Sequence, residues 1–246
     1  MRLLVLSDVH GNVEALDAVL ARVRRKRFDA VLMLGDVVGY GAAPNQVVER
    51  LLDLAPPMHG VRGNHDKVAT GIDRGAEFNE VALAAARWTE RRLTPSNLRW
   101  VRDLPRGPRE VAPDLAICHG SPLDEDVYVF SDYDAEQIFA AHRPRVTFFG
   151  HTHVTSAFVE TPARVVVRPL RGEGRLVLDP GFRYLLNPGS IGQPRDRDPR
   201  ASFMTFDTRR QVVRWYRVPY PVEKAQERIR RAGLPGVLAD RLAAGA

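Results

Sequence analysis

The sequence predicts an α/β fold in which two β-sheets pack together with helices outside, as a single domain over residues 1–246. Three observations lead there. Apolar strand-like runs alternate with amphipathic helical runs through the first part of the chain. After His153 the pattern changes to short β-type runs separated by Gly and Pro. No repeat, low-complexity tract or linker divides the two parts, and a chain that is 44% hydrophobic and 27% charged can bury a substantial core.

The elements follow in order. "LLVLSD" (Leu3 to Asp8) reads as a buried strand with a polar tip. Asn12 can cap a helix whose apolar positions Val13, Leu16, Val19, Leu20 and Val23 recur at helical spacing. "AVLMLGD" (Ala30 to Asp36) repeats the strand and its ending. Pro44 opens a second helix carrying Val47, Val48, Leu51 and Leu52, and "MHGVRGN" is a short third strand. This βαβαβ order argues for a parallel sheet. Phe78 to Leu93 is a helix ended by Pro95, followed by "SNLRWVRDL" with Ser96 as its expected cap. "LAICHG" is a strand, Asp134 to His142 a helix and "RVTFFGHTH" a strand. The later runs, "VTSAFVE", "ARVVVRPL", "RYLLNPGS", "ASFMTFD" and "VVRWYRV", are expected to complete the second sheet as antiparallel strands, and the tail from Val222 is helical.

Composition narrows the function. No stretch reaches the ~18 apolar residues of a membrane span. The opening "MRLLVLSDVHG" turns polar too soon for a signal-peptide core, so a cytoplasmic protein without a membrane partner is expected. The lone Cys118 excludes an intrachain disulfide and is expected to be packed. The net charge is +6, and all but three of the 36 basic residues are arginine. They are scattered, without the tract or stacking ladder of a nucleic-acid binder, so a polymeric nucleic-acid partner is disfavoured.

The strand tips carry the chemistry. Asp8 and His10 follow the first strand, Asp36 the second, Asn64 and His65 the third, His119 "LAIC", and His151 and His153 "VTFFG". Ligand sites in parallel sheets lie beyond the carboxyl ends of strands, so these residues can converge. Seven N/O donors (Asp8, His10, Asp36, Asn64, His119, His151, His153) are too many for one tetrahedral ion with an open position. They suit two ions sharing a carboxylate. Two carboxylates, two divalent ions and a bridging hydroxide leave about +1, a charge suited to phosphate and to in-line attack at phosphorus.

The blocks "DVHGN", "GDVVGYG", "GNHD", "HGSP" and "GHTH", present in that order, resemble the calcineurin-like metallophosphoesterase superfamily. "NPGSIGQPRDRDPRASF" is similar to its small bacterial phosphodiesterase branch. The resemblance implies a four-layer α/β/β/α sandwich, two mixed β-sheets flanked by helices. It implies that Asp8, His10 and His153 hold one ion, that Asn64, His119 and His151 hold the other, and that Asp36 bridges them. Manganese is the expected metal, with iron, nickel or zinc as alternatives for a site without thiolate. The same pattern sets His65 at the leaving-group oxygen, as a proton donor or as a positive hydrogen-bond donor to the phosphate, with Asp66 setting its tautomer; Gly63 is expected to let the backbone turn tightly there. Lys67, which follows, is expected in solvent.

One block departs from the phosphatase branches, which carry G-D-x-V-D-R-G. Gly39 and Tyr40 stand in place of that Asp and Arg, which removes a bidentate phosphate clamp. Tyr40 then becomes a substrate-binding residue, with Arg195 as a replacement phosphate contact. Trp88 and Trp100 are helix-face packing residues or part of a substrate wall in the Gly71 to Leu104 segment. The expected function is hydrolysis of small phosphodiesters by a metal-bridging hydroxide. The alternatives are a phosphomonoesterase, a nuclease, or a non-catalytic scaffold; the complete ligand set speaks against the scaffold.

Overall fold

A computed structural model describes all residues, 1–246. The elements are β1 (Arg2–Leu6), α1 (Val13–Val23), β2 (Ala30–Met33), α2 (Pro44–Leu52), β3 (Met58–Gly60), α3 (Asn64–Ala69), α4 (Glu80–Arg92), α5 (Pro95–Arg102), β4 (Arg109–Ala112) and β5 (Leu115–Ile117). They continue with α6 (Asp132–Ala141), β6 (Val146–Phe148), β7 (Thr155–Glu160), β8 (Val165–Pro169), β9 (Gly174–Val177), β10 (Arg183–Pro188), β11 (Ala201–Asp207), β12 (Val212–Val218), α7 (Val222–Arg231) and α8 (Gly236–Ala244). No helix is long and apolar enough to cross a membrane.

Two six-stranded mixed sheets result, ordered β3-β2-β1-β11-β12-β9 and β4-β5-β6-β10-β7-β8. The β1–β2–β3 core is parallel, as the βαβαβ pattern requires, with Leu3 opposite Ala30. The late strands do not all join the second sheet as expected. β9, β11 and β12 extend the first, and only β7, β8 and β10 extend the second. Sequence order carries no record of this division, because β1 pairs antiparallel with β11 across the whole chain.

β1 shows why the early strands read as unbroken apolar runs. Leu3 and Val5 point into the core between the sheets, while Leu4 and Leu6 point under the helices. A strand covered on both faces has no reason to alternate. Most helices, with α1, α2, α7 and α8 prominent, cover the first sheet, and α6 alone covers the second. The layers are therefore helix, sheet, sheet, helix, with the outer helical layers unequal.

Local chemistry sets the helix starts. Asn12 accepts from Ala15 N at 3.1 Å, and Pro44 occupies the first turn of α2, where its missing N–H is no loss. Ser96 is not the cap of α5: Thr94 is, accepting from Asn97 N at 3.3 Å, with Pro95 as the first helical residue. Ser131 caps α6, which starts at Asp132, two residues ahead of the expected start. Cys118 is fully buried, as expected, and burial pushes its thiol up.

Arg217 of β12 ties the two sheets to the loop that carries Arg195. Its side chain is 2% exposed, pairs with Asp196, and donates to Thr155 Oγ1 of β7 at 2.9 Å. Removing one partner of a buried pair strands the other charge. Arg217→Met is therefore expected to lower unfolding free energy by about 2–4 kcal/mol, read as a shifted urea midpoint at unchanged slope. A change under 0.5 kcal/mol would mean that the pair contributes no net stability.

Candidate metal centre

The parallel strands deliver their tips to one end of the fold. Just beyond β1, Asp8 and His10 sit on a backbone pinned by Asp8 N to Gly35 O (3.1 Å) and His10 N to Asp36 O (3.0 Å). His119 follows β5, and His151 and His153 follow β6. Six of the nine non-glycine residues with positive φ are Asp8, His10, Asp36, Tyr40, His151 and His153. Left-handed backbone is disfavoured for such residues and is retained where the surroundings impose it.

The seven expected ligands are brought together as two overlapping groups. Asp8, His10, Asp36 and His153 form one, Asp36, His119 and His151 the other, each with donor atoms within 4.8 Å of one another. Asn64 Oδ1 stands 3.2 Å from His119 Nε2 and completes the second group. Asp36 belongs to both. Its Oδ2 lies 3.4 Å from His10 Nε2 and 3.4 Å from His119 Nε2, while Oδ1 accepts from His65 N at 2.9 Å.

The donor set fits a cation. His10 Nδ1 faces Val38 O at 3.2 Å and His153 Nδ1 faces Gln193 O at 2.6 Å. A carbonyl oxygen only accepts, so each Nδ1 carries the proton and each Nε2 a lone pair. Burial keeps both rings neutral, and the two Nε2 atoms face each other at 3.1 Å. Two lone pairs that close call for a cation between them. Burial opposes ionisation of the carboxylates but does not prevail: Asp8, which accepts from the His151 amide, is held down at about 2, and beside His119, Asp36 lies well below the usual carboxylate range. Burial also opposes charge on His119, yet Asp36 pushes it up to about 10; a metal ion at that place would displace the proton. His151 spends Nε2 on Asp126 O (3.0 Å) and keeps Nδ1 for the centre, its basicity lowered by burial to about 3.

His65 is at the centre, but Asp66 does not orient it. The Asp66 carboxylate accepts from Val38 N at 3.1 Å and Gly63 N at 3.0 Å. The reason is α3, a short helix starting at Asn64 and not foreseen from the sequence: Asp66 is its third residue and reaches back to the entering amide. Burial, and next Asp36, raise Asp66 to about 7. His65 Nδ1 is buried without a partner. Its ring is held by packing instead, against Tyr40 at 4.2 Å, Phe78 at 4.6 Å and the edge of His10 at 4.9 Å. Burial lowers its basicity to about 4.

Gly63 also has a different role from the expected one. Its φ of −106° and ψ of 176° are extended, open to any residue. A Cβ there would fall on the Asp36 carboxylate, so close approach, not a turn, requires glycine. Gly39 does need its conformation, with φ +90° and a Cβ position 2.5 Å from His65 Nδ1.

Tyr40 and Arg195 meet, with Arg195 Nη2 donating to Tyr40 Oη at 3.3 Å and to Gln193 Oε1 at 3.1 Å. Burial raises the Tyr40 phenol, which stays neutral. Lys67 is not in solvent. It is 6% exposed, pairs with Asp126 and donates to Glu125 Oε1 at 3.3 Å; Glu125 also holds Arg62 at 2.8 Å. This network grips the segment whose Asp126 carbonyl fixes His151. Trp88 and Trp100 pack on the helical side, Trp88 donating to Ala232 O at 3.1 Å. Phe78 is the residue of the Gly71 to Leu104 segment that reaches His65. Tyr128, also unforeseen, lies flat on His151 at 3.8 Å. The only trace of it in the sequence is the short apolar run "VYVF" outside any strand.

Residues 1–211 match the calcineurin-like phosphoesterase superfamily domain, and the chain belongs to that family of phosphoric ester hydrolases. It is 36% identical over 245 residues to the uncharacterized protein MJ0912 of Methanocaldococcus jannaschii, covering 98% of this chain and 97% of that protein. A metallophosphoesterase from Sphaerobacter thermophilus is similar in structure, with a TM-score of 0.88 and 40% identity over 100% of this chain and 99% of that one. The chain is also 26% identical to the phosphodiesterase YfcE of Escherichia coli, over 84% of this chain and 88% of YfcE.

Asp66→Asn separates the two roles considered for Asp66. If the carboxylate serves α3 and the Val38 amide, stability falls by about 1–3 kcal/mol while the pH profile of turnover keeps its shape. A displaced pH profile at unchanged stability would restore the tautomer-setting role.

Proposed function

We propose that the protein is a dinuclear metal-dependent phosphodiesterase for small diesters. The observation that carries this is the division of the buried donors into two groups that share Asp36. Asp8, His10 and His153 would hold one ion, Asn64, His119 and His151 the other. When bound, the ions would supply Lewis-acid charge at the phosphoryl oxygens and a nucleophile activated for in-line displacement.

This chain's residues do the rest. Asp36 keeps Oδ2 toward both groups because His65 N ties down Oδ1. The His65 ring, held between Tyr40 and Phe78 at the edge of the cleft, would give a proton to the leaving oxygen. Arg195, steered by Tyr40 Oη and Gln193 Oε1, supplies a single guanidinium for a phosphoryl oxygen. One such cation suits a diester monoanion better than a monoester dianion. The name of the YfcE relative, a phosphodiesterase, supports the same class.

His65→Ala is expected to retain its metal and to lose turnover by roughly 10²–10⁴ with a poor leaving group. The loss should shrink for p-nitrophenolate, which needs little protonation. Metal analysis beside rates for two leaving groups decides this; a variant that loses metal would make His65 a ligand.

With Mn²⁺, bis-p-nitrophenyl phosphate is expected to turn over while phosphoserine peptides stay nearly inert. Tyr40→Arg should shift kcat/KM toward monoesters, because a second guanidinium would then face the phosphate. Faster hydrolysis of phosphopeptides than of every diester by the wild type would overturn the diester reading.

A further inference from the structure

A cleft of about 400 Å³ opens beside the metal centre and shares Asn64, His65 and His151 with it. That size lies within the range of small-molecule sites. Away from the centre its lining changes character. On one side is Phe78, half-buried and packed on His65. On the other is Tyr128, parallel to the His151 ring within 12°. Phe130 stacks beside Tyr128 outside the lining, 5.3 Å away and within 15° of parallel. Tyr128 is 42% exposed and Phe130 60%. Such rings beside a hydrolytic centre are not core packing, and their exposure marks a contact surface.

The charge in the cleft is opposite to the chain's as a whole. Asp73, Glu77 and Asp126 line it against a single cation, Lys67, and no arginine does. Lys67 is already engaged by Asp126 and Glu125. Asp73 accepts from Gly75 N at 2.6 Å through one oxygen only, and Glu77 makes no hydrogen bond or ion pair. A group seated here meets flat aromatic faces and free carboxylate acceptors. A second phosphate would be repelled. A planar ring bearing an amino group satisfies both features, since aromatic faces stack any base and carboxylates accept from an exocyclic amine.

We infer that this cleft receives an amino-bearing base, adenine, cytosine or guanine, of a nucleoside phosphodiester whose phosphate sits at the metal centre. This rests on the phosphodiesterase reading and adds the substrate class. The carboxylate rim makes the preferred substrate a single nucleoside diester and turns away nucleoside polyphosphates and nucleic-acid polymers, whose further phosphates would lie against Asp73 and Glu77.

The test compares 2′,3′-cyclic AMP, 2′,3′-cyclic UMP, glycerophosphocholine and bis-p-nitrophenyl phosphate on the Mn²⁺-loaded wild type, Glu77→Gln and Phe78→Leu, which keeps an apolar contact on His65. The expected result is a kcat/KM for cyclic AMP about tenfold above that for cyclic UMP, a preference reduced in Glu77→Gln. Phe78→Leu should lower kcat/KM for both nucleotides by about tenfold, the lower part of the range for one stacking contact, and for bis-p-nitrophenyl phosphate by less. Saturation-transfer NMR with adenosine 2′-monophosphate should place stronger saturation on the adenine protons than on the ribose, less so in Phe78→Leu. Equal rates for the two cyclic nucleotides, or no saturation of the base, overturn the base subsite. If bis-p-nitrophenyl phosphate is still cleaved, the phosphodiesterase reading survives that failure; if no diester is cleaved, the reading itself has failed. Glycerophosphocholine as the best substrate would assign the cleft to a cationic head group and overturn the inference.

Discussion

Two lone-pair nitrogens, His10 Nε2 and His153 Nε2, face each other at 3.1 Å beside two carboxylates, with the imidazoles and carboxylates almost wholly removed from water. Left to itself such a cluster is expensive: buried anions lose hydration, and lone pairs repel. Much of the surrounding structure is arranged to hold it nonetheless. Each imidazole is oriented through its remote nitrogen by a backbone carbonyl, of Val38, Leu34, Gln193 or Asp126. Those carbonyls come from three separate stretches of the chain, so the cluster senses the fold as a whole.

The backbone bears part of the burden. Six left-handed non-glycine residues at the strand tips, at about 1–3 kcal/mol each, are kept in place by bonds that leave little choice. The Asp8 carbonyl accepts from Gly192 N and from Ser190 Oγ, and the His10 carbonyl from Gly41 N. Asp36 is fixed by the amide of the very residue that would act as acid, His65. Ligand placement and acid placement are thereby one structural event, and the α3 start is where they join. The Lys67–Glu125–Arg62 network performs a similar service for the segment carrying Asp126 and Tyr128, which holds His151 by its edge and by its face.

What could be read from the sequence was what local chemistry writes there. Asp8, Asp36 and His119 stand directly after apolar strands, and the parallel order of the early strands puts their tips on one side. The site composition was therefore legible, as were most of the helices. The division of the late strands between the sheets was not, because antiparallel runs such as "ASFMTFD" and "RYLLNPGS" carry the same β signal whichever sheet they join. Roles that depend on partners distant in sequence were also hidden. Asp66 follows His65, which suggests a pair, yet its acceptors go to Val38 and Gly63. Lys67 looks like a surface residue until Glu125 and Asp126 arrive beside it. Gly63 looks like a turn and proves to be room for a carboxylate. Tyr128 and Phe78 have no motif at all; their importance comes only from lying against His151 and His65.

The central claim is that the shared carboxylate of Asp36 joins two metal positions. Anomalous scattering from a crystal of the protein grown with Mn²⁺ tests it directly. The account requires two peaks roughly 3.5–4 Å apart, one on either side of Asp36. The first should lie within bonding distance of Asp8, His10 and His153, the second within bonding distance of Asn64, His119 and His151. A single peak at saturating Mn²⁺, or two peaks of which one lacks Asp36 as a ligand, would contradict it.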